Sequence, residues 1–158
     1  HAFYTSADAV QPIEPGEYRV IRQIPPAQAE DSMIGKSIFA HRGDGGTTIL
    51  GEKEDTDAIL LIPVPGTPDR YIGQEAHNEE ADKGAIFYLL RVEGSTIRVS
   101  MPMCDKTYRI AKRARAIVSS SRDIIRECQF PDRLSLEAAM RRYAERPDNW
   151  IEIQRIGN

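Results

Sequence analysis

Two apolar runs joined by a short turn, Ala85–Met103, restrict this chain to folds with a buried antiparallel hairpin. Branched and aromatic residues fill both runs, and Glu93, Gly94 and Ser95 separate them, which is the pattern of a β-hairpin. The first arm is apolar on both faces: Ile86, Tyr88, Leu90 and Val92 on one, Phe87 and Leu89 on the other. The second arm alternates, with Ile97, Val99 and Met101 expected inward and Thr96, Arg98 and Ser100 outward. The first arm is therefore predicted to be covered on both sides.

Other short strand patterns surround this hairpin along the chain. They are Gly16–Ile24, Met33–His41, Thr47–Gly51, Ala58–Val64, Arg70–Gln74 and Trp150–Ile156. Prolines and glycines separate these segments, and no strand–helix–strand unit repeats. We predict a mainly β (α+β) fold, a single antiparallel β-barrel or sandwich-like domain with two C-terminal helices and a last strand.

The two helical patterns form a predicted helical flank over residues 120–146. The first begins at Ser120, with Asp123 three residues on as in a capping box, and its apolar stripe ends at Cys128. In the second, Ser135 is the predicted N-cap, and Glu137 lies in the first turn, where the helix dipole favours an anion. The predicted buried face of this second helix is Leu136, Ala139, Met140 and Tyr143.

The chain has the length of one domain, 158 residues. We expect residues 1–15, with Pro12 and Pro15, to be an N-terminal tether and 16–158 to be a single β-rich domain. The net charge of −3 gives no general attraction to nucleic acid or anionic lipid. No apolar run approaches the length of a transmembrane helix, so no transmembrane segment is predicted. The start at His1 fits either a mature end left by signal peptidase or an expression boundary.

Cys104 and Cys128 are the two cysteines. In an oxidising compartment a disulfide between them would close a loop of roughly 25 residues and contribute about 3–3.5 kcal/mol by chain entropy. In a reducing compartment they would be small buried hydrophobic residues. The disulfide interpretation competes with a thiol-dependent hydrolase, in which Cys104 would be the nucleophile, His77 the base and Asp105 a neighbour. No protease signature surrounds Cys104, which favours the disulfide or a packed thiol.

Histidines and carboxylates offer other candidate sites. His1, His41 and His77 lack the spacing of a metal motif, so we predict neither a metal nor a cofactor. A carboxylate-dependent hydrolase would need two acidic side chains facing each other across a cleft. The acidic residues cluster in two stretches that we interpret as solvated loops: Glu52, Glu54, Asp55 and Asp57, and then Glu75, Glu79, Glu80 and Asp82.

One stretch concentrates basic residues, between Lys106 and Arg122. Its candidate phosphate-binding side chains are Lys106, Arg109, Lys112, Arg113 and Arg115. They could contact a nucleic acid or another phosphate ligand. No recognition helix or stacking motif accompanies them, which argues against nucleic acid as the partner, so this interpretation is the minor alternative.

A resemblance adds a location to these patterns. The segments Phe87–Gly94, Cys104-Asp105 and Ser135–Tyr143, followed by Trp150, resemble small β-rich bacterial cell-envelope proteins of uncharacterised function, often exported or lipoprotein-like. The resemblance implies a periplasmic or envelope location rather than a cytoplasmic one, although the cysteine that lipoproteins carry at the mature start is missing here. The leading hypothesis is a non-enzymatic binding or interaction module that recognises another envelope protein or a small ligand through a sheet surface or barrel mouth.

Overall fold

The computed structural model describes residues 3–75, 87–101, 117–118, 128–130, 132–147 and 149–157. These residues include the strands β1 (Gly16–Ile24), β2 (Ser37–Arg42), β3 (Thr48–Glu52), β4 (Asp55–Pro63), β5 (Arg70–Glu75), β6 (Phe87–Glu93), β7 (Thr96–Ser100), β8 (Ile117–Val118), β9 (Cys128–Gln129) and β10 (Trp150–Gly157). They also include one α-helix, α1 (Arg133–Glu145), and short 3-10 turns at Ser6–Asp8 and Asp44–Gly46. No described helix has the length and apolar character needed to cross a membrane.

Eight of the strands close into an antiparallel barrel. Strands β1 to β7 follow one another around it, and β10 closes the ring by pairing with both β7 and β1. In this closed ring each barrel strand has a hydrogen-bonded neighbour on both sides, unlike the edge strands of an open sheet. Strands β8 and β9 form a separate two-stranded ribbon. The predicted antiparallel barrel and its last strand are therefore confirmed.

Side chains fill the interior of the barrel. The buried residues of this interior cluster are Ile13, Tyr18, Val20, Ile38, Ala40, Ile59, Leu61, Leu90, Ile97 and Ile153. An eight-stranded barrel is just wide enough for such side chains to meet across its axis. The interior is thus a packed core.

The helix α1 covers part of the outside of the barrel. Its residues Leu136, Met140 and Tyr143 form an outer cluster with apolar side chains of three neighbouring strands, Leu60, Ile62, Ile72 and Leu89. On β6, Leu89 joins this outer cluster and Leu90 joins the interior. The prediction that the first hairpin arm is buried on both faces is confirmed, as is the predicted buried face of α1.

The start of α1 differs from the prediction. The N-cap is Asp132, whose carboxylate accepts a hydrogen bond from the Ser135 backbone N–H at 2.7 Å. The prediction of Ser135 as the N-cap is therefore wrong, because the Asp132 side chain caps the first turn. The helix predicted from Ser120 lies outside the described residues, apart from Cys128, which belongs to β9 and not to a helix. One C-terminal helix is therefore described where two were predicted.

Other predicted details also shift. Strand β2 begins at Ser37 and not at the predicted Met33, and Ile34, which lies before the strand, is 57% exposed. At the end of β7, Ser100 lies opposite Leu89 of the outer cluster, so it faces outward as predicted, but it is buried there, whereas Met101, expected inward, is exposed. The acidic stretch 52–57 belongs mainly to β3 and β4, which a two-residue turn connects.

The N-terminal stretch interpreted as a tether packs on the barrel within its described part. Tyr4 and Ile13 are both buried, and Val10 forms an isolated antiparallel bridge with Leu61 of β4. Two apolar anchors separated by exposed residues gave no periodic signal that would distinguish packing from a linker.

Candidate functional site

Charged side chains lie in direct cross-strand register on the outside of β5, β6, β7, β10 and β1. Arg70 is opposite Arg91, which is opposite Arg98, and the row continues through Glu152 to Arg22. Directly opposed residues point to the same side of a sheet, and the adjoining Leu90, Ile97 and Ile153 point into the barrel. The row therefore faces outward. We call the following residues the arginine face: Arg19, Arg22, Asp69, Arg70, Arg91, Glu93, Arg98 and Glu152.

Ion pairs hold the centre of the arginine face. The Arg91 Nε lies 2.9 Å from Asp69 Oδ2, and its guanidinium also contacts Glu93. The Arg98 Nε lies 2.6 Å from Glu152 Oε2, with its guanidinium 5.7 Å from the centre of the Trp150 ring. The side chains of Arg91 and Arg98 are still 39% and 40% exposed, so both remain accessible to a partner.

The electrostatics of this centre follow from those contacts. The hydrogen bond from Arg91 is the main reason why the pKa of the Asp69 carboxyl lies below its usual value. The same bond is the first cause that raises the pKa of Arg91. Both groups therefore remain charged at neutral pH.

Three arginines in direct register, Arg70, Arg91 and Arg98, carry an electrostatic cost. Like charges directly opposite each other on neighbouring strands typically cost about 0.2–1 kcal/mol per pair. The carboxylates of Asp69, Glu93 and Glu152 offset part of that cost. No ion pair within the described part of the chain engages Arg19, Arg22 or Arg70. With five arginines and three carboxylates, the arginine face carries a net charge of +2 on a chain whose net charge is −3.

A second polar group lies where β5 and β6 meet at one end of the barrel. The Tyr88 hydroxyl donates a short hydrogen bond to Glu75 Oε1. Burial raises the pKa of Tyr88, and the hydrogen bond to Glu75 and the charges of Glu75 and Asp57 raise it further. Tyr88 therefore stays protonated at neutral pH and acts here as a hydrogen-bond donor.

Alkaline pH is expected to destabilise the protein through its buried tyrosines. Burial is the first cause of a raised pKa at Tyr4, Tyr18 and Tyr88, so the folded chain keeps them protonated when an unfolded chain ionises near pH 10. This stability is complete below pH 10 and is lost as the pH rises further. At neutral pH we expect Tyr88→Phe to lower the free energy of unfolding by about 1.5 kcal/mol, because the hydrogen bond is lost. As the pH rises from about 9 to 11, the free energy of unfolding should fall less in this variant than in the wild type, because the variant lacks one of the ionising tyrosines. Urea denaturation of both proteins at the two ends of this pH range measures the decrease, and an equal decrease in the variant and the wild type would contradict the prediction.

Several residues singled out by the sequence lie outside the described residues: Cys104, Asp105, His77, His1, Lys106, Arg109, Lys112, Arg113 and Arg115. Cys128 belongs to strand β9, but its side chain is outside the described part of the chain. The disulfide, the thiol-dependent hydrolase and the basic patch therefore stay predictions.

The described candidates do not converge. His41 is exposed on β2, the Glu52 carboxylate pairs with Lys36 at 3.1 Å, and Glu75 bonds Tyr88. Within the described ranges, no three His, Cys, Asp or Glu side chains are grouped as metal ligands would be.

Sequence reasoning did not find the arginine face. Arg91 and Arg98 lie opposite each other within the β6–β7 hairpin, Arg70 joins them through the pairing of β5 with β6, and Glu152 and Arg22 join through the closing strand β10. Arg98 was expected to point outward, but its neighbours depend on strand register, which a single sequence does not show.

The described part of the chain folds into a closed, eight-stranded antiparallel barrel with the helix α1 packed on its outside. In comparisons with known proteins, no family model, no curated protein and no solved structure matches the chain significantly.

Proposed function

We propose that this protein is a binding or interaction module that docks an acidic protein partner on the arginine face. The observation that carries the proposal is the cross-strand row of Arg70, Arg91 and Arg98, continued by Glu152 and Arg22. We also propose the bacterial cell envelope as its location, on the resemblance described above.

The residue types of the arginine face suit a protein partner. Arginine and tryptophan are enriched among the residues that dominate binding energy at protein interfaces. Here Arg98 lies over Trp150 and is held by Glu152, so its guanidinium is already oriented before a partner arrives. A preoriented side chain loses less conformational entropy on binding.

The charge pattern indicates the chemistry of the partner. Arg19, Arg22 and Arg70 offer cations that no described ion pair neutralises, while Asp69, Glu93 and Glu152 interrupt the row. A uniform polyphosphate chain would meet those carboxylates and be repelled, whereas a folded protein can place carboxylates only opposite the free arginines. The interrupted pattern therefore favours an acidic protein surface over nucleic acid.

The barrel interior is the weaker candidate for a ligand site. Tyr18, Leu61 and Leu90 are among its fully buried side chains, and they occupy the space that a ligand would need. Binding inside the barrel would require these side chains to move. An outer surface needs no such rearrangement.

A charge-matched pair of variants tests the arginine face. The probe is a fluorescent peptide of twelve glutamates at low ionic strength. We expect Arg22→Gln combined with Arg70→Gln to weaken peptide binding about tenfold, since each charge contributes up to about 1 kcal/mol. Arg141→Gln combined with Arg142→Gln removes the same charge from an exposed part of α1 and should change binding less than about twofold. Binding should also weaken as salt is added.

Two results would contradict this proposal. Equal losses in the two double variants would show that peptide binding reflects net charge alone. Tighter binding of a twelve-nucleotide oligo-dT than of the glutamate peptide would identify nucleic acid as the better partner. Thermal unfolding should be nearly unchanged in both double variants, because the substituted side chains are at the surface.

A further inference from the structure

A buried glutamine holds the main chain of the N-terminal segment. Gln74 of β5 is 2% exposed, and its Oε1 accepts hydrogen bonds from the backbone N–H groups of Phe3 at 2.8 Å and Tyr4 at 3.1 Å. Its Nε2 donates to the Tyr4 carbonyl oxygen at 3.0 Å. This carboxamide contacts backbone atoms that every extended peptide has. The pairing therefore does not depend on the side chains of the segment.

The side chain of Tyr4 is recognised separately. It is buried and belongs to the outer cluster with Leu136 and Met140. Its hydroxyl donates to Glu137 Oε1 at 3.2 Å, and the guanidinium of Arg133 lies 4.6 Å from the centre of its ring. Arg133 also contacts Glu137, with 2.9 Å between Nε and Oε1. An apolar wall, a cation over the ring and a carboxylate at the hydroxyl together select tyrosine.

Beyond Tyr4 the segment is held at few points. Thr5, Ser6 and Ala7 are exposed, Asp8 contacts Arg133 at 3.2 Å, and the Val10 N–H donates to the Leu61 carbonyl at 2.9 Å. Of residues 3–10 only Tyr4 is buried, while Phe3 and Ala9 are half-buried against the outer cluster, so this segment buries less apolar surface than the barrel strands and opens at a lower free energy. Residues 3–10 are thus placed as a peptide ligand would be.

We propose that Gln74, Arg133 and Glu137 form a peptide-binding site, which residues 3–10 fill within the same chain and which an extended, tyrosine-bearing segment of a partner occupies in their place. The covalent connection gives the resident segment an effective concentration in the millimolar range. A free peptide must therefore displace it, and binding becomes strong when the resident anchor is removed.

The test uses the full chain with Tyr4→Ala and a fluorescein-labelled peptide of residues 1–11 of this sequence. We expect the variant to bind this peptide at least about tenfold more tightly than the wild-type chain, because the tyrosine pocket is empty. The same peptide carrying Tyr4→Ala should bind the variant at least about tenfold more weakly. Equal binding by both chains, or indifference to the tyrosine of the peptide, would overturn the proposal.

Hydrogen exchange of the wild-type chain decides the question even if Tyr4→Ala does not fold. The backbone N–H groups of Phe3, Tyr4 and Val10 should exchange at least about tenfold faster than those in the middle of β4 and β5. Exchange at the same slow rate as those strands would overturn the proposal, since the segment would then not open separately. A wild-type dimer that is lost in Tyr4→Ala would identify a second copy of the chain as the occupant and would overturn the assignment to a partner.

Discussion

Replacement of Leu136 by alanine is expected to lower the free energy of unfolding by about 2–5 kcal/mol. Leu136 is fully buried where α1 packs on the barrel, in the outer cluster that includes Leu60 and Ile72. Removing its side chain forfeits apolar burial and leaves a cavity that the surrounding residues fill only in part. Urea denaturation followed by circular dichroism measures the loss, with an unchanged dependence on denaturant concentration as evidence of a two-state transition.

The matched control is Leu134→Ala, two residues earlier on the same helix. Leu134 is 74% exposed, so the same chemical change removes little packing. Alanine also has a slightly higher helix propensity than leucine, and the stability should stay within about 0.5 kcal/mol of the wild type. Similar small effects for the two variants would show that α1 is not packed on the barrel as described.

The local elements were the most predictable part of the fold. Strand β1 has the predicted bounds, and the β6–β7 hairpin lies within Ala85–Met103, because β-branched and aromatic residues and a glycine turn specify both locally. The apolar stripe from Leu136 to Tyr143 fixed the buried face of α1 for the same reason. These features depend on residues that are neighbours in sequence.

The parts that failed depend on contacts distant in sequence. The side chain of Tyr4 contacts Glu137 and Arg133, and its backbone is held by Gln74, so no pattern within residues 1–15 predicts that this segment packs on the barrel. Glu137 was expected to serve the helix dipole, yet it is buried and accepts hydrogen bonds from Tyr4 and Arg133. A pattern along one segment cannot show which remote side chain will satisfy a buried polar group.

The arginine face depends both on local sequence patterns and on contacts between residues distant in sequence. Alternation along β7 predicted that Arg98 points outward, but the placement of Arg91 and Glu152 beside it comes from the registers of β6 and β10. A shift of one residue in either register would move the neighbouring side chain into the barrel. The complete arginine face can therefore be assigned only from the order and register of the barrel strands.

Leu90→Ala should cost about 2–5 kcal/mol, and part of that cost should be recoverable from a glycine on the next strand. Leu90 is fully buried inside the barrel, and its Cδ1 would lie 2.9 Å from a β-carbon placed on Gly73 of β5. In the wild type, Gly73→Ala therefore crowds Leu90 and should cost about 1–3 kcal/mol. When Leu90 is already alanine, the added methyl group enters the vacated space.

A double-mutant cycle measures this coupling. We expect Gly73→Ala to cost at least about 0.5 kcal/mol less in the Leu90→Ala background than in the wild type, as is usual for residues in contact. Gly66→Ala is the control, because a β-carbon there meets no atom within 4 Å, and its effect should be the same in both backgrounds. Additive effects for Gly73 and Leu90 would contradict the packing of these strands around the barrel axis. Coupling confined to the Gly73 pair would support it, since only residues sharing one packed space compensate each other in this way.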